Sequence, residues 1–309
     1  MSHPPLPDNI TVLERGWLSS NNILLHGSTA AEGAVLVDTG YSTHREQTLA
    51  LLAGALRPEE TIRLIANTHL HSDHCGGNAA VSQEYRCAIL IPPGEFSAVE
   101  RWDEPALSYR ATGQRCERFN PTGKLIPGDT LRQGELEWQI HAAPGHDPHS
   151  VILFEPAGRT LISADALWER GFGIVFPELD GDDAFADAGA TLDIIESLDP
   201  QLIIPGHGSP FRDLRGALIA ARERLEYFQR EPARHAVHAA KALTVFHMLE
   251  VQESSIDDLM TWLSETPILI STWARFADEK PLLEWMAQLV EALVRAGALR
   301  QASTTIFPC

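Results

Sequence analysis

The chain has 309 residues, 44% of them hydrophobic and 21% charged, and a formal net charge of −18. That length buries a substantial core, in one large domain or two unequal ones. The charge disfavours nucleic acid and anionic membrane surfaces as partners, and no basic patch offsets it, since the Arg222-Glu223-Arg224 stretch is mixed in sign. Four cysteines without a CxxC pairing, and a Met1–Ser20 segment rich in prolines with no apolar centre, lead to the expectation of a reduced, cytoplasmic chain. No signal peptide or membrane span is expected.

Three early strands are expected at 10–14, 22–26 and 34–38, the third ending in Asp38-Thr39-Gly40. Thr43-His44-Arg45-Glu46 has the form of a capping box, and Leu49, Leu52, Ala53 and Leu56 follow at helical spacing, so a helix is expected over 43–56. A buried strand at 62–66 runs into Asn67-Thr68-His69-Leu70-His71-Ser72-Asp73-His74-Cys75-Gly76-Gly77, and a helix is expected over about 78–85. After a strand at 88–91, residues 94–123 are polar and punctuated, an excursion able to cover a site. Strands follow at 136–142, 151–154 and 160–163, then a helix carrying Phe185, Ala188, Leu192 and Ile195, then a strand at 202–204. From about residue 210 the pattern changes. An amphipathic helix carries Leu214, Leu218, Ala221, Leu225 and Phe228, further helices are expected at 236–250, 255–264 and 282–296, and a hairpin closes the chain at 298–307. The expected organisation is therefore a domain over 1–210 and a helical one over 211–309.

The chemistry gathers at strand ends. Three imidazoles and a carboxylate fall within the six residues His69 to His74. On an extended chain His69 and His71 face the same way, and Asp73 and His74 have to turn back toward the same place. Imidazole nitrogen with carboxylate oxygen suits zinc or a neighbouring transition metal. Three more ligand types follow later strands: His146 in Pro144-Gly145-His146, Asp165, and His207 in Pro205-Gly206-His207-Gly208. Seven such side chains exceed what one zinc needs and suit two ions about 3.5–4 Å apart.

HxHxDH, a later PGH, a strand-end Asp and a PGHG, with Val37-Asp38-Thr39-Gly40 upstream, together resemble the metallo-β-lactamase superfamily over about residues 10–210. The resemblance implies an α/β chain folded as a four-layer αββα sandwich, with the metals at one edge of its sheets and a small helical, winged-helix-like appendage behind it. It assigns His69, His71 and His146 to a first ion, Asp73, His74 and His207 to a second, and Asp165 to the bridge. It implies two divalent ions, zinc foremost with manganese or iron as alternatives, and a hydroxide between them that attacks a small acyl substrate. The complete set is that of glyoxalase II-like thioesterases and lactonases, so a metal-dependent hydrolase of a thioester or lactone is expected. A phosphodiesterase or nuclease-like member, a mononuclear iron persulfide dioxygenase and a slow-turnover binding protein are the alternatives. One departure stands out: many glyoxalase II-like members read PGHTxGH, whereas here His149 occupies the position where glycine is common.

Asp73 is the candidate for orienting the nucleophile and moving its proton, with ligation alone as the alternative. Asp38 is expected behind the ligands, holding an imidazole or the histidine loop. Trp168, Phe172 and Phe176 are candidate pocket walls, and His149 is a candidate substrate contact or a plain loop histidine. Cys75 is read as a small buried thiol rather than a nucleophile. His235, His238 and His247 are read as surface or satisfied core residues. Trp262, Trp273 and Trp285 are read as core, with some able to roof the site.

Overall fold

A computed structural model describes residues 4–277 and 279–309 of the chain. Two sheets form its centre. The first runs in the order β1 (Ile10–Leu13), β2 (Asn22–Leu25), β3 (Ala34–Val37), β4 (Ile62–Ala66), β5 (Ala88–Ile91) and β6 (Gly123–Lys124). Its first three strands pair antiparallel and the rest parallel. The second contains β7 (Thr130–Gln133), β8 (Leu136–Ala142), β9 (Val151–Glu155), β10 (Thr160–Ala164) and β11 (Leu202–Pro205), in the order β11-β10-β9-β8-β7. Only its β10–β11 pair is parallel.

Period-two alternation of side chains decides which face of each strand meets which layer. Ile23, Leu25, Val35 and Val37 of the first sheet pack with Trp138, Val151, Leu153, Ile162 and Ile204 of the second, forming the core between the sheets. The intervening residues face outward. Leu24, Leu36 and Ile65 meet Leu52 of α1 (Arg45–Ala55) and Val81 of α3 (Asn78–Tyr85), with α2 (Ser72–Cys75) as a single turn between those helices. On the far side Ile152, Phe154, Leu161 and Ile203 meet α7 (Phe185–Leu198) and α8 (Leu214–Arg230), whose apolar residues Leu192, Ile195, Leu218 and Leu225 recur at helical spacing. These four layers are the αββα sandwich expected from the motifs.

The remaining short helices are α4 (Phe96–Arg101) and α5 (Ser108–Thr112) in the excursion after β5, and α6 (Phe176–Asp180) after β10. The C-terminal helices α9 (Pro232–Val251), α10 (Ile256–Glu265), α11 (Pro267–Phe276) and α12 (Leu282–Arg295) share a separate apolar cluster. It also holds Leu299 and Ile306 of a small sheet made by β12 (Ser254–Ser255), β13 (Leu299–Ala302) and β14 (Thr305–Pro308). The expected terminal hairpin is the β13–β14 pair. Residues 267–276 form a helix that the sequence reading passed over; Pro267 at its first turn fits a helix start, where the missing N–H is not needed. No described helix is long and apolar enough to cross a membrane.

One local expectation fails. Thr43 does not cap a helix: residues Ser42–His44 form a 3-10 turn, α1 starts at Arg45, and no side chain caps it. Both ends of the supposed capping box, Thr43 and Glu46, are exposed to water. Ser42 lies buried instead and donates to the Arg115 carbonyl at 3.3 Å, which fixes the turn from outside the helix.

Candidate metal centre and its cavity

Strand ends deliver every candidate ligand. β4 leads to His69 and His71, and α2 then turns the chain so that Asp73 and His74 face back toward them. Gly76 and Gly77 follow because the backbone runs against a neighbouring loop: a Cβ on Gly77 would lie 2.4 Å from the Thr39 carbonyl. β9 starts just after His146, β10 ends just before Asp165, and β11 ends just before Gly206-His207. The backbone is left-handed at Asp38 (φ 57°) and at Ala164 (φ 47°), uncommon for residues with a side chain, where two strands hand carboxylates to the site. Gly206 allows a closer approach still, since a Cβ there would sit 2.2 Å from Asp165 Oδ1.

The seven side chains are buried and fall into two groups, His69, His71 and His146 in one and Asp73, His74, Asp165 and His207 in the other. Within each group one ligand atom per residue lies within 4.8 Å of every other. Asp165 spans both groups, with Oδ2 3.4 Å from His146 Nε2 and Oδ1 3.4 Å from His74 Nε2. Asp73 Oδ2 accepts from His207 Nε2 at 3.0 Å.

Hydrogen bonds behind the rings determine which nitrogen faces inward. Asp38 Oδ2 accepts from His74 Nδ1 at 2.7 Å and from Thr68 Oγ1 at 2.7 Å, while Asp38 Oδ1 accepts from the Thr68 amide at 2.9 Å. With its proton given to Asp38, Thr68 Oγ1 is free to accept from His69 Nδ1 at 3.1 Å. His146 Nδ1 donates to the Ile174 carbonyl at 2.6 Å. His69, His74 and His146 therefore all turn Nε2 into the site, the orientation that ligation needs. His71 is reversed: Nε2 lies 3.8 Å from Asp147 Oδ2, and Nδ1 faces His146 Nε2 at 2.8 Å. Asp38 thus lies behind the candidate ligands and braces His74 directly and His69 through Thr68. Trp168 Nε1 donates to Asp165 Oδ1 at 3.2 Å, a support the sequence did not reveal.

The donor set fits divalent cations. Buried polar atoms are almost always paired, yet His69 Nε2 and His74 Nε2 are buried without a hydrogen-bond partner. Burial, with His74, His71 and His146 close by, holds His69 well below the ordinary imidazole range. Burial likewise pushes His146 down to about 4. Asp165 stays ionised: burial alone would raise its pKa, but His74 and His207 pull it well below the usual carboxylate range. His74 goes the other way. Burial opposes its charge, but Asp165, Asp73 and Asp38 together lift it well above the ordinary value. The field at His74 Nε2 calls for positive charge, which a bound cation supplies.

Above the ligands lies a cavity of about 420 Å³. His71, Asp73, His146, Asp165 and His207 form its floor, and Trp168, Phe172 and Phe176 are among its walls. Its roof is α9, through Lys241, Ala242, Val245 and Phe246. Thr112 and Gln114 bring the 94–123 excursion to the rim, and the Gln114 carboxamide accepts from Ser72 Oγ. Trp17, 56% exposed, stacks on His207 with ring centroids 5.3 Å apart and meets Trp168 edge-on at 5.4 Å. Trp17, Arg224, Lys241 and Phe246 escaped the sequence reading because nothing in their local pattern separates a cavity-facing residue from a core or surface one.

His149 does not reach this cavity. It is exposed, and its ring packs so closely over Gly94 that a Cβ there would lie 2.2 Å from Nδ1. Its backbone N–H bonds Asp147 Oδ1 at 2.7 Å, a loop geometry that turns the side chain outward. His238 lines the cavity although it was read as surface or core, whereas His235 is buried and accepts from the Val175 amide at 3.2 Å. His247 stacks on Trp262 at 3.9 Å, away from the ligands. Trp262, Trp273 and Trp285 pack in the C-terminal apolar cluster and none lines the cavity. Cys75 is buried beside Tyr109 and Cys116, with Sγ atoms 3.8 Å apart, and packs in the apolar layer beneath α1 and α3.

Known proteins share the family pattern and the fold. The pattern of the metallo-beta-lactamase superfamily matches residues 15–207, a span that starts before Trp17 and ends on His207. A hydroxyacylglutathione hydrolase of Anaeromyxobacter dehalogenans is 31% identical over 235 residues, 72% of this chain and 80% of that protein. Acyl-coenzyme A thioesterase MBLAC2 of Homo sapiens is 22% identical over 233 residues, covering 68% and 82% respectively. In the fold alone, a beta-lactamase domain protein from Burkholderia ambifaria superposes on 99% of this chain and 94% of its own, with a TM-score of 0.59 at 19% identity. A family pattern over nearly two-thirds of the sequence and a relative 31% identical over 72% of the chain have one reading: the chain belongs to the metallo-beta-lactamase superfamily.

Proposed function

We propose that the protein is a metal-dependent hydrolase of a small acyl compound, a thioester or a lactone, working with two divalent ions of which zinc is the first candidate. One observation carries the reading. Two adjacent groups of buried ligand atoms, joined by Asp165 and containing orphaned imidazole nitrogens, form the floor of a largely apolar cavity. Relatives named as an acyl-coenzyme A thioesterase and a hydroxyacylglutathione hydrolase support the acyl chemistry. A net charge of −18 weighs against the nuclease-like alternative.

His69, His71 and His146 would hold one ion, Asp73, His74 and His207 the other, with Asp165 shared. Ions bound there would supply Lewis acidity and bring the pKa of water toward neutrality. The residues themselves do the rest. Asp38 and Thr68 fix the inward faces of His69 and His74, and the Ile174 carbonyl fixes that of His146. The aromatic wall of Trp168, Phe172 and Phe176 excludes water around the acyl group. Asp73, at the floor with Oδ2 toward His207, takes the proton of the attacking water and returns it to the departing thiolate or alkoxide. The carbon–sulfur or carbon–oxygen bond breaks as the new carbon–oxygen bond forms, leaving a carboxylic acid and a thiol or alcohol.

Metal analysis of the purified protein together with a panel of thioesters, lactones, a chromogenic β-lactam and bis-(p-nitrophenyl) phosphate tests this reading. About two ions per chain and turnover of acyl substrates are expected. Phosphodiester turnover without acyl turnover, or a single iron per chain, would overturn it.

A further inference from the structure

The cavity has a second chemical end. Arg224 on α8 and Lys241 on α9 both line it, in a protein whose overall charge is strongly negative. Neither has an acidic partner among the described residues, and apart from the floor residues Asp73 and Asp165 no described carboxylate lines the cavity. Arg224 is half-buried, its guanidinium over the Phe172 ring at 5.6 Å and the Phe228 ring at 5.3 Å. Its hydrogen bond goes to a neutral acceptor, from Nη2 to His238 Nε2 at 2.7 Å. Burial, with Arg224 and Lys241 nearby, pushes His238 down to about 4, so at neutral pH this ring accepts the hydrogen bond from Arg224 without adding charge. The ring also stacks on Phe228 at 5.8 Å, which keeps it in place.

A half-buried cation held by two aromatic faces and one neutral imidazole has donors left over. Burying such a charge is costly unless an anion meets it. The Arg222 guanidinium, two residues earlier on the same helix, shows the alternative: it faces outward and pairs with Asp193 and Glu196 at 2.7 and 2.6 Å. Trp168, Phe172, Phe176, Val245 and Phe246 line the same cavity, with Phe172 against Arg224 and Phe176 against His71 and His146, and they suit an apolar segment.

We propose that Arg224 and Lys241 form an anion subsite, and that the substrate is an anionic amphiphile: an acyl compound with an apolar body and a carboxylate or phosphate at the end away from the scissile bond. This deepens the hydrolase reading and rests on it for the word substrate, but the subsite can be tested without turnover.

Calorimetric titration of the metal-loaded protein with 1-hexanesulfonate, a weakly coordinating anion, and with 1-hexanol, its neutral counterpart, measures the preference directly. Hexanoate and hexyl phosphate, run alongside, tell a carboxylate preference from a phosphate one. The wild type should bind hexanesulfonate roughly tenfold more tightly than hexanol, the scale of one charge-assisted hydrogen bond. Lys241→Gln should remove most of that preference and leave hexanol binding within about twofold. Arg224→Gln should do the same, but its contacts with Phe172 and Phe228 make it the more disruptive change, so Lys241→Gln decides. Equal binding of the two probes by the wild type, or an undiminished preference in Lys241→Gln, would overturn the subsite. A protein that hydrolyses neutral thioesters and shows no anion preference refutes the subsite alone. One that shows the preference and hydrolyses nothing refutes the hydrolase reading alone.

Discussion

The floor and the roof of the cavity are built on opposite principles. The floor is polar and positioned by main-chain ends: each candidate ligand follows or precedes a strand or a single helical turn, and a hydrogen bond behind the ring sets the outlook of His69, His74 and His146. The roof is a helix face, α9, which presents Ala242, Val245 and Phe246 chiefly through packing, with polar ties only at His235, His238 and Glu250 among the described contacts. A floor held by several strands and a shared carboxylate tolerates no loss, whereas a roof held by packing can be retuned one side chain at a time. Under the proposed function, chemistry would belong to the first region and selectivity to the second.

The comparison breaks most visibly if the floor proves dispensable. His69→Ala and Asp165→Ala should each lose metal, read by elemental analysis, and lower kcat/KM by roughly a thousandfold or more. Full activity with unchanged metal content in either variant would refute the ligand assignment. Next in size is Asp38→Asn, which keeps the shape but weakens the acceptor shared by His74 and Thr68. A loss of about 10–100-fold in metal affinity or activity is expected, with folding retained on a thermal melt. The roof should respond differently. Phe246→Ala should raise KM for apolar acyl substrates by roughly tenfold and leave kcat within about threefold, because it removes contact shared by ground and transition states. A kcat collapse with metal content unchanged would place Phe246 in the chemistry instead.

The smallest effect concerns acid. Three histidines of α9 are held neutral chiefly by burial, His235 down to about 3 and His238 and His247 to about 4. Unfolded, each takes up its proton near pH 6.5. Between pH 6.5 and about 4 the unfolded state therefore binds more protons, and the roof's stability falls as pH falls through that window. Hydrogen exchange, corrected for its intrinsic pH dependence, should show α9 losing protection several-fold between pH 7 and 5, relative to β3 and β9. Equal loss in helix and strands would remove the distinction between the regions.

The sequence disclosed the floor far better than the roof, for a physical reason. A ligand set must be delivered by short, stiff turns at strand ends, so His69 to His74, Pro144-Gly145-His146 and Pro205-Gly206-His207 remain compact in the chain. Only the strand at 136–142 showed period-two alternation; the others showed as short apolar runs between breaks, as at Ile23, Leu24 and Leu25, where successive residues serve different layers. Lys241 and Phe246 had no such marker, because which face of α9 meets the cavity depends on how the C-terminal helices dock. The same limit explains His149: its register within the motif was plain, but its outward turn depends on Asp147 and Gly94. The change of pattern near residue 210 marks where strands give way to helices, yet α8 packs with α7 and the second sheet, so the sandwich's own apolar layer continues through Phe228.

Asn21 carries a last consequence. Its carboxamide donates to the carbonyls of Pro205 and Gly208 at 2.9 and 2.7 Å, and its amide to that of Gly206 at 2.7 Å, so the loop before β2 clasps the turn that presents His207. Partners this distant along the polypeptide meet only after nearly everything between them has found its place. On the ribosome, the nascent chain would wait through most of translation before its final imidazole could dock. Cation uptake then becomes a late event, and its rate a stopwatch for completed assembly.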